Sequence, residues 1–258
     1  MKSQASTVAL TRSVPPSFAN CELTHLAREP IDIDLATHQH EEYEATLQSL
    51  GCTIRRLPDT PDLPDSIFVE DTAIVLPELA IITRPGAESR RGETASVESA
   101  LSEFRGVAKI EAPATIDGGD VLVIGKSIYI GQSTRTNSEA IRQLRDLTSA
   151  LGYSVIPLKV SGCLHLKSAV TRVADSTVLL NPESIDAGLF GKLTVIEVDP
   201  REQYGANALR IDDSLIYPSG FPRTRDRLMR AGLDVHPVQV DELAKAEAGV
   251  TCCSILVS

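Results

Sequence analysis

The chain has 258 residues, of which 42% are hydrophobic and 23% charged, and it carries a net charge of −10 at neutral pH. Such a length buries a substantial core, as one large domain or two small ones. The acidic balance disfavours nucleic acid as a partner and favours a small or cationic ligand. No apolar run is long enough to cross a bilayer, and with aromatics at 4% and tryptophan absent, stacking on bases or sugars has little support.

The opening MKSQASTVALTRSVPPS has one early lysine and no sustained apolar stretch, so it does not read as a secretory leader. Within it, STVALTR (6–12) predicts a strand. LATHQHEEYEATLQSLG (35–51) predicts a helix, and CTIRRLP (52–58) a further strand. DTAIVLPELAIITR (71–84) reads as paired strands, and TRPGAESRRGE leads on to a helix. DVLVIGKSIYIG (120–131) is a hairpin turning at GKS. GQSTRTNSEA opens the next helix, which closes at ALGYSVIPLK (150–159). GLFGKLTVIEV (188–198) supplies a strand with no clear long helix before it. NALRIDDSLIYPSG (207–220) is another strand pair, and PSGFPRTRDR begins the helix that closes at RAGLDVHPVQ (230–239). Three of these helices end on glycine, in SLGCT, ALGYS and RAGLD, as a left-handed C-cap requires. The chain finishes on GVTCCSILVS (249–258), a strand-like stretch in which adjacent Cys252 and Cys253 would point to opposite faces. The five cysteines, Cys21, Cys52, Cys163, Cys252 and Cys253, are odd in number and lack metal-type spacing. Free thiols in a reducing cytoplasm fit that pattern.

One unit recurs: strand, strand, helix, strand, at intervals of about 40–50 residues. Copies open near Glu70, Asp117, Leu164 and Ala206, the third being the weakest. A fifth copy needs both ends of the chain, with CCSILVS as its first strand and STVALTR as its second. Joining the termini in one unit closes a ring of ββαβ units without an exposed edge. The expected fold is therefore α/β, a single domain over residues 1–258. The residues opening the copies would meet at one mouth of the ring: FVED (68–71), DGGD (117–120), LHLK (164–167) and the closing TCCS (251–254).

Singly, each motif has an ordinary reading. A strand cysteine is usually a small core residue, DGG is usually a turn, and a histidine among leucines is often a satisfied core group. Together they supply a nucleophile (Cys252), a proton carrier (His165) and an orienting acid (Asp117). The further acids Asp71 and Glu70 suit a cationic reaction centre, and a planar guanidinium is one that carboxylates grip with paired bonds. An anion-rich site would also keep the thiol protonated until a cation arrives.

PDSIFVED, IITRPGAESRRGE, DGGDV, GQSTRTN, LHLK and TCCS, in that order over nearly the whole chain, resemble the dimethylarginine dimethylaminohydrolase family of the guanidine-modifying superfamily. The resemblance implies a five-bladed α/β propeller and hydrolysis of Nω,Nω-dimethyl-L-arginine, or its monomethyl form, to L-citrulline and the amine. It implies no cofactor and no metal, and a monomer or homodimer whose partner is a small methylated arginine, with neither nucleic acid nor membrane involved. By motif it makes Cys252 the nucleophile, His165 the acid/base and Asp117 its acidic partner. Asp71 becomes the guanidinium clamp with Glu70 assisting, and Phe68 packs on the substrate chain. Arg90 and Arg135 hold the substrate carboxylate, and Asp65 and the backbone at Ala246 take its α-amine. Leu23 is the expected contact from a lid at 20–26. Deiminases of the superfamily carry an acid two residues after the histidine. Lys167 stands here, which leaves room for N-methyl groups. The rival readings are a hydrolase of another guanidine such as free arginine, an amidinotransferase, and a propeller that only binds cationic peptides.

Overall fold

The computed structural model describes residues 7–258. The expectation of a leader-free opening, and the first residue of the STVALTR strand, fall partly outside the described residues.

Alternating β-branched residues bounded by turn signals give fifteen strands in five three-stranded sheets among the described residues. Ala73–Val75 pairs antiparallel with Ala80–Ile82, which pairs parallel with Val107–Lys109. Val121–Ile124, Ser127–Gln132 and Ser154–Lys159 repeat that order. So do Val170–Ala174, Thr177–Leu180 and Thr194–Glu197, then Leu209–Ile211, Ser214–Pro218 and Asp234–Val238. The fifth sheet joins the two ends: Ile255–Val257 runs antiparallel to Val8–Thr11, and Thr53–Arg56 lies parallel beyond it.

Each parallel pair needs a crossover. Helices Thr94–Ser102, Ser138–Thr148, Pro222–Arg230 and Ile33–Ser49 provide four of them, and the third copy has only the single turn Ala187–Phe190. Asp32 and Asn137 cap two of these helices by accepting the backbone N–H three residues on. The expected C-cap glycines Gly51, Gly152 and Gly232 all take positive φ.

The apolar core is divided among the sheets. One cluster joins Ile74 and Ile81 to Val121 and Ile128, and another joins Leu122 and Tyr129 to Val170 and Leu180. A third joins Val173 and Leu179 to Leu215 and Tyr217. Leu209 and Ile216 pack with Ala9, Tyr43 and Leu47, and Leu10 and Val257 pack with Ala80 and Ile82. Successive sheets are thus glued face to face, and the last is glued to the first through the terminal strands. Among the described residues, no helix is long and apolar enough to cross a membrane.

One local expectation fails. Cys252 and Cys253 lie in a turn, and the strand starts only at Ile255. Cys252 N–H bonds Gly249 O, and Asn207 accepts the Thr251 N–H, so the backbone there is held curled rather than extended. The opposed facing survives the change: Cys253 is buried in the core beside Tyr43, and Cys252 looks into a cavity.

Candidate active site

In every unit a short irregular segment leads into the first strand, and these segments converge. Asp71 sits in the turn Val69–Thr72, and Asp117 precedes the turn Gly118–Asp120. His165 precedes the one-turn helix Leu166–Ala169, and Cys252 precedes Ile255. Asp65, Phe68, Asp71, Arg90, Arg135, His165, Ala246 and Cys252 line one cavity, with Asp117 fully buried behind His165. Sequence reasoning put Leu164 at the mouth and Glu22 in the lid segment without giving either a role, and it missed Glu247 and Ala248 on the walls. A larger hollow of about 770 Å³, between strand Ser154–Lys159 and segment 182–189, holds neither thiol nor imidazole.

DGG is a packing requirement as well as a turn. A Cβ on Gly118 would lie 2.0 Å from Glu70 O, and one on Gly119 would lie 2.6 Å from His165 Nδ1. Without side chains there, the backbone closes on the site, and Gly119 N–H donates to Asp71 Oδ1 at 2.9 Å.

His165 Nε2 lies 3.0 Å from Asp117 Oδ2, and its Nδ1 faces Asp71 Oδ1 at 3.9 Å. Burial disfavours the imidazolium, but Asp71, the bond to Asp117 and the charge of Asp120 outweigh it and raise His165 to about 9. Burial likewise works against the Asp71 carboxylate. His165 and the Arg90 guanidinium overcome it and hold Asp71 down to about 2. At neutral pH the pair is therefore ionised. Asp71, Asp117 and His165 have ligand atoms within 4.8 Å of one another, close enough to hold a metal ion, but the hydrogen bond to Asp117 already engages one nitrogen of His165. The Cys252 thiol is pushed well above its ordinary value by burial, then by Glu70 and Asp71, against a favourable bond from Gly249 N–H to Sγ at 3.3 Å.

Three of the expected substrate contacts have protein partners of their own. Glu70 is absent from the cavity wall: its Oε1 accepts from Lys167 Nζ at 2.6 Å and its Oε2 from Thr251 Oγ1 at 2.7 Å. An ammonium two residues beyond the histidine draws that carboxylate aside. Leu23 packs on the core while its neighbour Glu22 reaches the cavity. Arg90 lines the cavity, but its guanidinium is engaged by Asp71 at 2.6 Å, by both oxygens of Glu93, and by the carbonyls of Asp65 and Phe68. Arg135 is less committed, with Nη2 on Thr24 Oγ1 at 3.2 Å and Nη1 3.8 Å from Asp117. Asp65 accepts from Glu22 N–H, and Phe68 meets Phe18 edge-on at 5.8 Å.

Hydrogen bonds tie down the loop at 20–28. The backbone N–H groups of Thr24, His25 and Leu26 all donate to the Glu247 carboxylate, and Arg28 donates to Ala19 O and Cys21 O. The cavity beneath holds about 20 Å³, room for roughly one water.

A thiol, an imidazole and acids gathered at the meeting of five small sheets belong to a hydrolase that acts on a guanidino group. The comparisons narrow this further. The family described as "N,N dimethylarginine dimethylhydrolase, eukaryotic" matches residues 24–198. The N(G),N(G)-dimethylarginine dimethylaminohydrolase of Pseudomonas aeruginosa is 37% identical over 234 residues, covering 90% of this chain and 91% of its own. That of Streptomyces coelicolor is 39% identical over 250 residues, covering 96% and 95%. The solved structure of the Pseudomonas aeruginosa enzyme, a cysteine-to-serine mutant complexed with citrulline, superposes with a TM-score of 0.93 at 34% identity, over 98% of this chain and 100% of that one. The chain belongs to the dimethylarginine dimethylaminohydrolase family.

Proposed function

We propose that this protein hydrolyses Nω,Nω-dimethyl-L-arginine and Nω-methyl-L-arginine to L-citrulline and the corresponding amine, with Cys252 as a covalent nucleophile. The observation carrying the reading is one cavity in which Cys252, His165 and Asp71 face one another with Asp117 bonded behind the histidine. The five sheets act as blades of one closed α/β propeller, a single catalytic domain whose hub is that cavity. Their cores, each shared by two successive sheets, support the ring.

Entry requires the 20–28 loop to leave Glu247, since a dimethylarginine is many times larger than the closed cavity. The substrate guanidinium then lies on Asp71. Asp65 takes the α-amine, Arg135 takes the carboxylate, and Arg90 exchanges Asp71 for the carboxylate as the substrate cation replaces it. A second cation beside the thiol favours thiolate, and the Cys252 proton leaves to solvent. The thiolate sulfur bonds the central guanidinium carbon, giving a neutral tetrahedral adduct. Protonated His165 donates to the dimethylamino nitrogen, the C–N bond breaks, and dimethylamine departs, leaving a cationic thiouronium on Cys252. Neutral His165, oriented by Asp117, then takes a proton from water as its oxygen bonds the same carbon. Collapse breaks the C–S bond, gives the urea of citrulline, and returns a proton to the sulfur. The sum is substrate cation plus water to citrulline, amine and one proton.

Protein quenched with dimethylarginine should carry the thiouronium mass on the Cys252 peptide, and citrulline should be released faster from dimethylarginine than from arginine. Citrulline release without any adduct, or a preference for arginine, overturns the reading. Binding without either would mark the chain as a binding module.

A further inference from the structure

Four of the five segments entering the hub have been given roles: those of Asp71, Asp117, His165 and Cys252. The segment of the fourth unit, just before strand Leu209–Ile211, contributes Asn207. This side chain is 6% exposed and does not line the cavity. Its three hydrogen bonds all run to the segments that carry the nucleophile and the acid/base. Nδ2 donates to Lys167 O at 3.1 Å, two residues beyond His165, and to Thr251 Oγ1 at 3.0 Å, next to Cys252. Oδ1 accepts from Thr251 N–H at 3.0 Å. The amide orientation is determined by its partners: turned over, it would face a carbonyl with an oxygen and an N–H with an NH₂.

The bonds form a closed ring. Thr251 Oγ1 passes its proton-side bond to Glu70 Oε2, and Lys167 Nζ takes the other Glu70 oxygen. Lys167 O returns to Asn207. Asn207 also fills the space above Gly249, where a Cβ would lie 2.3 Å from its amide carbon. Gly249 N–H is the group that donates to Cys252 Sγ. One buried amide thus holds the turn that aims the sulfur, and the same nitrogen ties that turn to the segment bearing His165. An alternative part in bare folding would leave the geometry between sulfur and imidazole to other groups, yet these bonds join those two segments directly.

We propose that Asn207 is a positioning residue of the hydrolysis, setting the separation and aim of Cys252 relative to His165 without touching substrate. This rests on the assignment of Cys252 and His165 made above. A displacement of about 1 Å between reacting groups costs on the order of 10²-fold in rate.

The test compares Asn207→Asp, which has the same shape and keeps the acceptor for Thr251 N–H, with Asn207→Ala, Thr251→Val and Thr251→Ser. Four quantities are read on each folded variant: kcat and KM for dimethylarginine, the pH profile of iodoacetamide alkylation at the Cys252 peptide, and the melting temperature. The expected result is a fall in kcat of roughly 10–100-fold in Asn207→Asp, Asn207→Ala and Thr251→Val, with KM within about threefold because the side chains of Asp71, Asp65 and Arg135 bond to other groups than Asn207 and Thr251. Alkylation of Asn207→Asp should need higher pH, and Thr251→Ser should keep near wild-type kcat. Should Asn207→Ala fail to fold, the isosteric Asn207→Asp decides. Wild-type kcat and an unmoved alkylation profile in Asn207→Asp, whatever its melting temperature, overturn the proposal. If the unaltered protein releases no citrulline, the assigned reaction falls, while the alkylation profile still reports whether Asn207 aims the sulfur.

Discussion

Replacing Asp117 with asparagine isolates what makes His165 an acid. In the native site Asp117 Oδ1 accepts from Gly86 N–H at 2.8 Å and Oδ2 faces His165 Nε2 at 3.0 Å. An amide has only one acceptor oxygen. If it stays with Gly86, its NH₂ meets Nε2, which must then accept and so lose its proton. A hydrogen bond to a charged partner is worth roughly 1.5–3 kcal/mol, and one pKa unit is about 1.4 kcal/mol. The His165 value of about 9 should therefore fall by roughly 1–2 units. With the tautomer and charge both wrong, kcat should drop by about 10²–10⁴-fold. The chain has five histidines, so imidazole carbon resonances can be followed by pH titration, with His165 identified by its loss in His165→Gln. The stability consequence has a definite sign. An imidazolium raised from 6.5 to about 9 stabilises the fold fully below about pH 6.5 and loses that contribution as pH rises through about 9. The wild type's thermal advantage over Asp117→Asn should accordingly shrink across that window. An unchanged His165 midpoint in Asp117→Asn would refute the reasoning, because the charge would then be set without that bond.

Other perturbations read other parts of the site. Cys252→Ser should abolish turnover, whereas Cys253→Ser should retain kcat but lose about 1–3 kcal/mol of stability by placing a hydroxyl in the core, as urea unfolding would show. Gly119→Ala should reduce kcat by at least about 10²-fold with the protein still folded, since its Cβ would enter the space of His165 Nδ1; circular dichroism and citrulline assays distinguish this from misfolding. Glu247→Gln should weaken the hold on Thr24, His25 and Leu26, which hydrogen exchange would register as faster exchange at those amides. Alkylation of Cys252 in the free protein should be slow at neutral pH and rise only in alkali, because burial, Glu70 and Asp71 disfavour thiolate. A plateau already reached at pH 6 would contradict this.

Much of the architecture was legible in the chain itself, because hydrophobic alternation, hairpin turns and C-cap glycines are local. The strands from DVLVIGKSIYIG and NALRIDDSLIYPSG and the weak helix of the third copy follow from such signals, and the shared sheet of the two termini follows from closing the repeat. The opening residues of each copy also located Asp71, Asp117, His165 and Cys252, since the repeat gives them equivalent places. Asn207 opens the fourth copy in the same way, and that equivalence was the one signal that could have found it.

What the tertiary structure alone decided was partnership. Whether Glu70 faces the cavity or Lys167 depends on which distant segment packs against it, and periodicity carries no information about that. The same holds for Arg90 on Asp71, for the curled cysteine turn, and for the proton on His165. Hydrogen bonds act over about 3 Å, whereas sequence patterns report only which face of an element is apolar. Motif and repeat therefore named the groups, and the packing of five separate segments set their charges and aim.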